Sequence, residues 1–333
     1  MNVAVVIVTY GHRFHLLHRV LASVIQQNIN KVYVVNNCSH EESRRELISF
    51  ASRSDGIIRI IDLTQNLGSA GGFKKGLEAA VSDPAIDFLW LLDDDNCPDA
   101  NALDALQKAH SYLGNSQNTV LYSYRGSTRG QDYEAVFNGV IKGYDANSVM
   151  GYTLRKSIRR KLLSWSRATT PRNGLVIYPL VRTKIGPYGG MFLHKSVVRR
   201  VGLPNPDFFV YGDDHEFSTR MDRSGCLQYI VYQSKIYDID ETGNSSQSIF
   251  SLELSEIKFY FGIRNHIYLD KLFISNHVIY YFNFLCLFLS LLKSACIVAF
   301  RHPRFIWGRL CLMRRAMRDG LAGNLGVDYN SSS

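Results

Sequence analysis

The sequence contains few cysteines, and their spacing does not suggest a metal site. There are 6 in 333 residues, no two are separated as Cys-x-x-Cys, and no histidine cluster accompanies them. This pattern argues against a disulfide-stabilised secreted domain and against a structural zinc site. We therefore expect reduced, mostly buried thiols in a cytoplasmic protein.

Long apolar runs are also scarce. The run Val3–Val8 is too short for a signal peptide and lacks a charged flank, so we expect a buried strand there. The segment Val278–Phe300 is interrupted by Asn283, Lys293 and Ser294, and its unbroken part falls short of the roughly 20 apolar residues of a comfortable membrane span. Contact with the membrane interface, a core helix or oligomer contact, and a true span stay open as interpretations.

Acidic residues are outnumbered by basic ones. With 38 Lys and Arg against 29 Asp and Glu, the net charge is +9, which indicates an anionic partner such as nucleic acid, anionic lipid or a phosphorylated substrate. Basic residues concentrate at 155–172 and at 301–318. The first stretch could bind a diphosphate or a membrane surface, or be a solvated helix face. The second would suit anionic lipid headgroups.

The first hundred residues alternate between strand and helix patterns. Apolar runs at 3–8, 32–35, 57–63 and 88–92 are typical of parallel strands covered on both faces, and helical spacing lies between them. This order predicts an α/β fold, a Rossmann-like open, mainly parallel twisted sheet with helices on both faces. Polar residues follow each strand, and ligands of such sheets bind beyond the carboxyl ends. We therefore expect one shared site at that edge.

The pattern is less regular farther along the chain, where strand and helix signals are shorter. It predicts short strands at 120–124, 135–141, 175–181 and 189–193, and helices at 215–225 and 255–272.

Three adjacent aspartates, Asp93, Asp94 and Asp95, follow directly on the apolar run at 88–92. Carboxylates packed this closely raise one another's pKa unless a cation lies among them. Mg²⁺ and Mn²⁺ prefer oxygen ligands and leave coordination positions for substrate phosphates. The cluster therefore predicts a divalent-metal site, with a solvated acidic turn as the alternative.

A glycine-rich turn at 66–72 (Asn-Leu-Gly-Ser-Ala-Gly-Gly) joins the third strand to the next helix. Glycines let the backbone approach a ligand closely, and a helix N-terminus favours an anion. No Gly-Lys-Ser/Thr follows, so the segment is not a Walker loop. A tight structural turn would use the same residues.

A second acidic cluster, Asp213, Asp214 and Glu216, begins a predicted helix. A carboxylate close to metal and substrate can act as general base and take a proton from an attacking hydroxyl. Helix capping by Asp213 or Asp214 is the competing interpretation, and one of the two could cap while the other catalyses.

Taken in order, these segments resemble family 2 glycosyltransferases of the GT-A fold, over residues 1–275. The resemblance rests on VVIVTY (5–10), VVNNCS (34–39), NLGSAGGF (66–73), DDD (93–95), GGMF (189–192) and YGDDHE (211–216). The glycine-rich segment and YFGIRN (260–265) are similar to the branch that holds galactofuranosyl- and rhamnosyltransferases of bacterial surface polysaccharides.

The resemblance implies roles for the matching positions. Donor binding falls to Thr9, Tyr10, Asn36, Asn37, Asn66, Gly68, Gly71, Gly72, Asp93 and Asp94. The metal, Mn²⁺ or Mg²⁺, would be bound by Asp93, Asp95 and Asp238, and the acceptor by Gly189 and Gly190. Asp214 matches the catalytic base, while Asp213 and Glu216 would orient substrate or base.

Two positions depart from the family pattern. Asn36 stands where the family often has an aspartate near the nucleotide, which removes a charge and can alter donor choice. Asp238 stands where the galactofuranosyl branch tends to supply a metal-binding histidine.

The implied activity is inverting hexosyl transfer from a nucleotide-diphosphate sugar to a hydroxyl of a glycan or lipid-linked saccharide. Galactofuranose or rhamnose is the favoured sugar, for O-antigen or capsule synthesis. The implied location is the cytoplasm, peripheral at the inner face of the plasma membrane, with an anionic membrane surface as partner and no nucleic acid; homo-oligomerisation stays open. We divide the chain into a GT-A domain at 1–250, with a nucleotide-binding half (1–100) and an acceptor half (101–250), and a C-terminal helical region at 251–333.

Two rival interpretations remain at this stage. A nucleotidyltransferase also uses clustered carboxylates and metal, but it typically has a basic, glycine-rich loop very early in the chain, and residues 9–13 match that poorly. A non-catalytic nucleotide-sugar-binding module would be suggested by loss of the acidic clusters, and both are present.

Overall fold

The computed structural model describes residues 1–125, 131–139, 141–159, 177–240, 250–252 and 254–326. The chain divides into two compact units. Unit 1 comprises Met1–Gly143, Val176–Pro206 and Asp213–Asn244, and unit 2 comprises Tyr144–Leu175, Asp207–Gly212 and Ser245–Ser333. The domain boundary expected at residue 250 stays a prediction. Of the first basic stretch, residues 160–172 lie outside the described ranges.

The secondary structure is numbered here along the chain. The strands are β1 (Val3–Gly11), β2 (Lys31–Ser39), β3 (Ile58–Leu63), β4 (Phe88–Asp93), β5 (Asn96–Pro98), β6 (Thr119–Arg125), β7 (Leu180–Thr183), β8 (Met191–His194) and β9 (Leu227–Asp238). The helices are α1 (Phe14–Ile25), α2 (Glu41–Ala51), α3 (Gly68–Ser82), α4 (Ala102–Tyr112), α5 (Gln131–Asn138), α6 (residues 154–159), α7 (Lys195–Val201), α8 (Asp213–Arg223), α9 (Glu256–Lys271), α10 (His277–Ala299) and α11 (Pro303–Ala322). A 3₁₀ turn covers Pro206–Phe208.

The described strands of unit 1 form one nine-stranded sheet in the order β3-β2-β1-β4-β8-β6-β9-β5, with β7 paired to β9. The first four are parallel, as expected for a β-α-β alternation with right-handed crossovers. Strand β8 then runs antiparallel between β4 and β6, whereas β6 and β9 are parallel. The predicted α/β sheet is confirmed, and the antiparallel insertion lies in its second half.

Helices cover both faces of this sheet, which explains the continuous apolar strands. Along β1, Ala4 and Val6 pack in the cluster that contains Phe73 of α3, while Val5 packs in the cluster that contains Leu17 of α1. Because side chains alternate between faces of a strand, a strand buried on both sides needs an apolar residue at every position.

One predicted element has the wrong secondary structure. Residues 135–141 were expected as a strand, but α5 spans Gln131–Asn138. Asp132 and Glu134 lie in its first turn, where the positive end of the helix dipole favours them. Ala135 and Val136 are fully buried on the helix, so the apolar pair that suggested a strand is a helical core contact.

Unit 2 is built around α9 and α11, whose apolar side chains share a core with one face of α10. Gly320 of α11 lies so close to α9 that a Cβ there would be 2.5 Å from the carbonyl oxygen of Arg264. Within the described residues, His277–Cys296 of α10 is long and apolar enough to cross a membrane, with a mean hydropathy of 1.6. The length and the composition of the helix are the properties that meet this criterion.

Candidate active site

The carboxyl ends of β1, β2 and β4 bring the predicted polar residues to one edge of the sheet. The register pairs Val8 with Asp93 and Thr9 with Asn36, so the residues that follow each strand emerge side by side. Thr9 Oγ1 donates a hydrogen bond of 2.8 Å to Asp94 Oδ2. The predicted meeting of strand ends at a shared site therefore agrees with the geometry.

Arg13, at the start of α1, forms ion pairs with three of the carboxylates. Its Nε lies 2.9 Å from Asp94 Oδ1, its Nη2 2.9 Å from Asp95 Oδ2, and its Nη1 2.6 Å from Asp240 Oδ2. Burial would lower the pKa of Arg13, but the carboxylates of Asp94 and Asp240 raise it above its ordinary value. Arg13 is a site residue that the sequence motifs did not indicate, although its position just after the end of the first strand was a usable signal.

Asp238 lies in the same cluster as the aspartate triplet. It pairs with Asn96 in the β5–β9 register, and Asn96 Nδ2 donates to Asp238 Oδ1 at 2.7 Å and to Asp95 Oδ1 at 3.1 Å. Arg125, at the end of β6, also contacts Asp238. Asn96 and Arg125 are site residues that the sequence analysis did not identify, although Asn96 directly follows the triplet.

The cluster holds more negative charge than its two arginines balance. Burial raises the pKa of Asp93 to about 7, and the charges of Asp95, Asp94 and Asp214 add to this against the opposing effect of Arg125. Burial likewise raises the pKa of Asp94 to about 6, against the lowering effects of Arg13 and Thr9. A cation would relieve this repulsion.

The donor set fits a divalent ion that is completed by substrate. Within the described residues, no three His, Cys, Asp or Glu side chains form a group that could hold a metal ion on their own. Mg²⁺ is commonly held by one or two carboxylates together with waters and substrate phosphates. The raised pKa of Asp93 and of Asp95 and the nearby Asp238 match such an incomplete oxygen site.

Gly189 packs directly against the aspartate cluster. A Cβ at Gly189 would lie 2.0 Å from Asn96 Oδ1 and 2.9 Å from Asp93 Oδ2. Gly190 has φ +91° and would place a Cβ 3.0 Å from Ser123 Cβ. The close approach to Asp93 and Asn96 explains Gly189, the positive φ and the packing on Ser123 explain Gly190, and the role of the pair in acceptor binding stays a prediction.

The glycine-rich turn is organised by Asn37. Its Nδ2 donates to Asn66 Oδ1 at 3.1 Å and to the carbonyl oxygen of Gly68 at 2.9 Å, while its Oδ1 accepts from Leu67 N at 2.8 Å. A Cβ on Gly72 would lie 2.5 Å from Val8 Cγ1, so this glycine permits close packing of α3 on β1. Asn37 and Gly72 therefore each stabilise this part of the fold, independently of any contact with the donor.

Asn36 has a carboxylate beside it. Its Nδ2 donates to Asp62 Oδ1 at 2.7 Å across the β2–β3 register, and Arg44 Nη2 lies 3.0 Å from Asp62 Oδ2. The charge expected at position 36 in the family is therefore present one strand away. Asp62 was not singled out from the sequence.

The second acidic cluster separates into three different environments. Asp213 is buried and accepts a 2.7 Å hydrogen bond from Ser69 Oγ, and burial together with Asp214 raises its pKa well above the ordinary value. Glu216 is bound by Arg220 through contacts of 2.6 and 2.9 Å. Asp214 is partly exposed, accepts from the backbone N of His215 at 2.8 Å, and is close enough to Asp93 to influence its pKa.

Comparison with known proteins now identifies the family. The sequence profile of Glycosyl transferase family 2 matches residues 4–191, more than half of the chain. The chain belongs to glycosyltransferase family 2. This family member is 27% identical over 228 residues to galactofuranosyltransferase GlfT1 of Mycolicibacterium smegmatis (strain ATCC 700084 / mc(2)155), an alignment that covers 67% of this chain and 66% of the relative.

Solved structures agree on the GT-A fold. GalNAc-T7, crystallised with UDP, GalNAc and Mn²⁺, matches with a TM-score of 0.57 and 15% identity over 81% of this chain and 48% of the other. The mannosyltransferase PcManGT of Pyrobaculum calidifontis, in complex with GDP-Man and Mn²⁺, matches with a TM-score of 0.53 and 13% identity over 96% and 87%. The chain thus spans about half of the first structure and just under two thirds of the curated relative.

Proposed function

We propose that this protein is an inverting glycosyltransferase that moves galactofuranose from a UDP donor to a hydroxyl of a glycan or lipid-linked saccharide in bacterial surface-polysaccharide synthesis. The observation that carries the proposal is the partly exposed Asp214, whose charge acts on the buried Asp93 at the carboxylate-rich strand end. The named activity of the mycolicibacterial relative supports galactofuranose, with rhamnose from a dTDP donor as the alternative.

In this reaction Asp214 accepts the proton of the acceptor hydroxyl while the hydroxyl oxygen attacks the anomeric carbon of the donor sugar. One displacement breaks the bond to the diphosphate and inverts the configuration. Asp213 is less suited to this role because it is buried and bonded to Ser69. Glu216 is held by Arg220, so its contribution is to position the first turns of α8.

Asp93, Asp95 and Asp238 are the side chains that would hold Mn²⁺ or Mg²⁺, and because they do not form a complete metal site on their own, the donor diphosphate would supply the remaining ligands. When bound, such an ion supplies electrostatic stabilisation of the charge that develops on the leaving diphosphate. Arg13 and Asn96 keep the neighbouring carboxylates oriented through the contacts described above. The Mn²⁺ in two structures of the same fold supports this assignment.

We further propose a cytoplasmic location, peripheral at the inner face of the plasma membrane. Support comes from the net charge of +9 and from the apolar helix α10. Both features suit a protein that works on a lipid-linked acceptor at an anionic surface.

The decisive experiment measures the product released from a panel of nucleotide sugars, with Mn²⁺ and with chelator. Metal-dependent release of UDP from UDP-galactofuranose is the expected result, together with a thermal shift by the same donor. Release from dTDP-rhamnose instead would change the sugar and keep the reaction. Release of pyrophosphate from a nucleoside triphosphate and a sugar phosphate would refute the proposal in favour of nucleotidyl transfer.

A further inference from the structure

Helix α10 presents an apolar face to solvent. Five side chains on that face are between 52% and 79% exposed: Val278, Tyr281, Phe282, Leu285 and Leu289. At 100° per residue they fall on one side of the helix. Contiguous exposed apolar surface of this kind marks an interaction site.

The opposite face of α10 is packed along its length on unit 2. Tyr280 and Ala295 are buried in the core, and Asn283 Nδ2 donates to the carbonyl oxygen of Asn147 at 2.9 Å while its Oδ1 accepts from Leu154 N at 3.0 Å. Because α10 is fixed lengthwise to its own unit while most of its apolar window is exposed, it offers one apolar face that suits the membrane interface.

A cavity of about 580 Å³ adjoins this helix. Its wall includes Ile279 and Asn283 of α10 and three cationic side chains, Arg155, Lys156 and Arg159. Lys156 is paired with Asp145. Within the described part of the chain, Arg155 and Arg159 have no acidic partner, which leaves the cavity with excess positive charge.

Aromatic and basic residues continue this surface at the turn from α10 to α11. Phe300 and Trp307 are 93% and 72% exposed, and Arg301 and Arg304 are exposed beside them. Arginines and tryptophan next to apolar side chains are typical of the headgroup region of a membrane. Arg309 of the same basic stretch is instead buried and donates to the carbonyl oxygen of Leu254.

We propose that unit 2 carries an anionic phospholipid site, in which the cavity of Arg155, Lys156 and Arg159 receives a phosphate headgroup while the exposed face of α10 enters the acyl boundary. This rests on the proposed membrane location and gives it a defined surface and lipid class. The occupant is an anionic bilayer, because a cationic cavity and an apolar face side by side match a phosphate joined to acyl chains.

The test is co-sedimentation of the full chain with vesicles of phosphatidylcholine alone and of phosphatidylcholine mixed with phosphatidylglycerol, at low salt. Wild type binds the mixed vesicles more tightly. Arg155→Gln/Arg159→Gln lowers binding to mixed vesicles by roughly 30-fold, since each surface cation contributes about a factor of five. Leu285→Ser/Leu289→Ser lowers binding to both vesicle types.

The matched control is Arg19→Gln/Arg53→Gln, which removes two exposed arginines from unit 1 and leaves vesicle binding close to wild type. Thermal midpoints of all variants verify that they fold. UDP release, measured in solution without vesicles, stays at the wild-type rate in every variant. Absence of UDP release from wild type that binds mixed vesicles as expected would refute the proposed activity and leave the lipid site standing.

Three results would overturn the lipid site. The first is equal binding by wild type and the arginine variant. The second is a stable dimer that Leu285→Ser/Leu289→Ser dissociates, without vesicle binding, which would make α10 an oligomer contact. The third is membrane association that resists high salt and alkaline carbonate, which would make α10 a span.

Discussion

Two regions of the molecule bury charged side chains. One is the carboxylate cluster of unit 1 at the strand ends (Asp93, Asp94, Asp95, Asp238 and Asp240), and the other is the Arg264–Asn265 pair of unit 2. They differ in the groups that surround the buried charge. In unit 1, the pKa values of Asp93 and Asp94 are raised to about 7 and about 6 because burial and like charges outweigh Arg13 and Arg125. In unit 2, the fully buried Arg264 is surrounded by acceptors. The first region holds carboxylate charge in excess, whereas the guanidinium of Arg264 has hydrogen-bond acceptors around it, although burial still lowers the pKa of Arg264.

The unit 2 network is a dense set of hydrogen bonds to the loop at 207–211 and to Gly326 after α11. Arg264 donates to Asn265 Oδ1 at 2.8 Å and to the carbonyl oxygens of Asp207 and Gly326 at 2.7 and 2.6 Å. Asn265 Nδ2 donates to the carbonyl oxygens of Phe208, Val210 and Tyr211 at 2.8, 2.9 and 2.8 Å. Such a network determines backbone shape, in a loop where Phe209 and Tyr211 have φ of +62° and +65°.

Buried charged groups at ligand sites differ from structural ones in whether the protein itself supplies their partners. Buried charge that the protein itself satisfies is part of the architecture. Buried charge left in excess marks the place where a ligand supplies the missing partner. Four experiments test the difference.

Replacing Asp214 by Asn should cause the largest loss. Turnover should fall roughly 100- to 10,000-fold, because the general base is removed while its shape is kept. Donor affinity, measured by thermal shift with UDP-sugar, should persist. Asp222→Asn, on the same helix, is the control and should keep wild-type turnover. A near-normal rate for Asp214→Asn would assign the base elsewhere.

Replacing Asn265 by Ala should lower stability by about 3 kcal/mol, because several buried carbonyl oxygens lose their donor. Urea unfolding measures this change. The matched control is Asn101→Ala at the exposed start of α4, where the side chain makes no capping hydrogen bond. If both variants unfold at the same urea concentration, the network does not stabilise the loop.

Replacing Gly189 by Ala should weaken metal binding roughly 10- to 100-fold. The added Cβ would displace Asn96, which orients Asp95 and Asp238. The Mn²⁺ dependence of UDP release measures the effect. Gly308→Ala, where the added Cβ meets no described atom within 4 Å apart from its chain neighbours and the backbone of its own helix, serves as control. An unchanged Mn²⁺ requirement would separate Gly189 from the metal site.

The fourth experiment concerns the pH dependence of stability without metal. The pKa of Asp93 is about 7 in the folded protein against an ordinary 3.8, so the folded state favours the protonated acid. Stability from this group is present below about pH 4 and is lost as pH rises toward 7. In chelator, wild type should therefore lose stability relative to Asp93→Asn across this window, and Mn²⁺ should cancel the loss. A pH-independent difference between the two proteins would contradict the charge excess.

Much of the fold and of the acidic site could be predicted from local pattern. The continuous apolar runs predicted β1 to β4 because a strand covered on both faces has no polar alternation. The aspartate triplet at the end of β4 could also be recognised from the sequence, because three adjacent acids without a local basic partner follow directly on an apolar run. The strand expected at 135–141 was wrong because a short apolar pair does not distinguish a strand from a helix contact.

The convergence of distant residues could not be predicted in this way. Arg13 and Arg125 come from different elements and meet the aspartates only through sheet order and register, and Asn96, although next to the triplet in sequence, meets Asp238 in the same way. The same holds for Asp62, whose carboxylate lies beside Asn36 on the neighbouring strand β3. Sequence separation carries no distance information once strands from the two halves of the chain interleave.

The sequence by itself determined the family, the parallel half of the sheet and the two acidic clusters, because these depend on residue type and local order. Only the tertiary structure decided how the acids differ from one another. Asp213 is buried against Ser69, Glu216 is held by Arg220, and Asp214 stays accessible. Identical carboxylates acquire different protonation and reach from burial and neighbours, which the fold supplies.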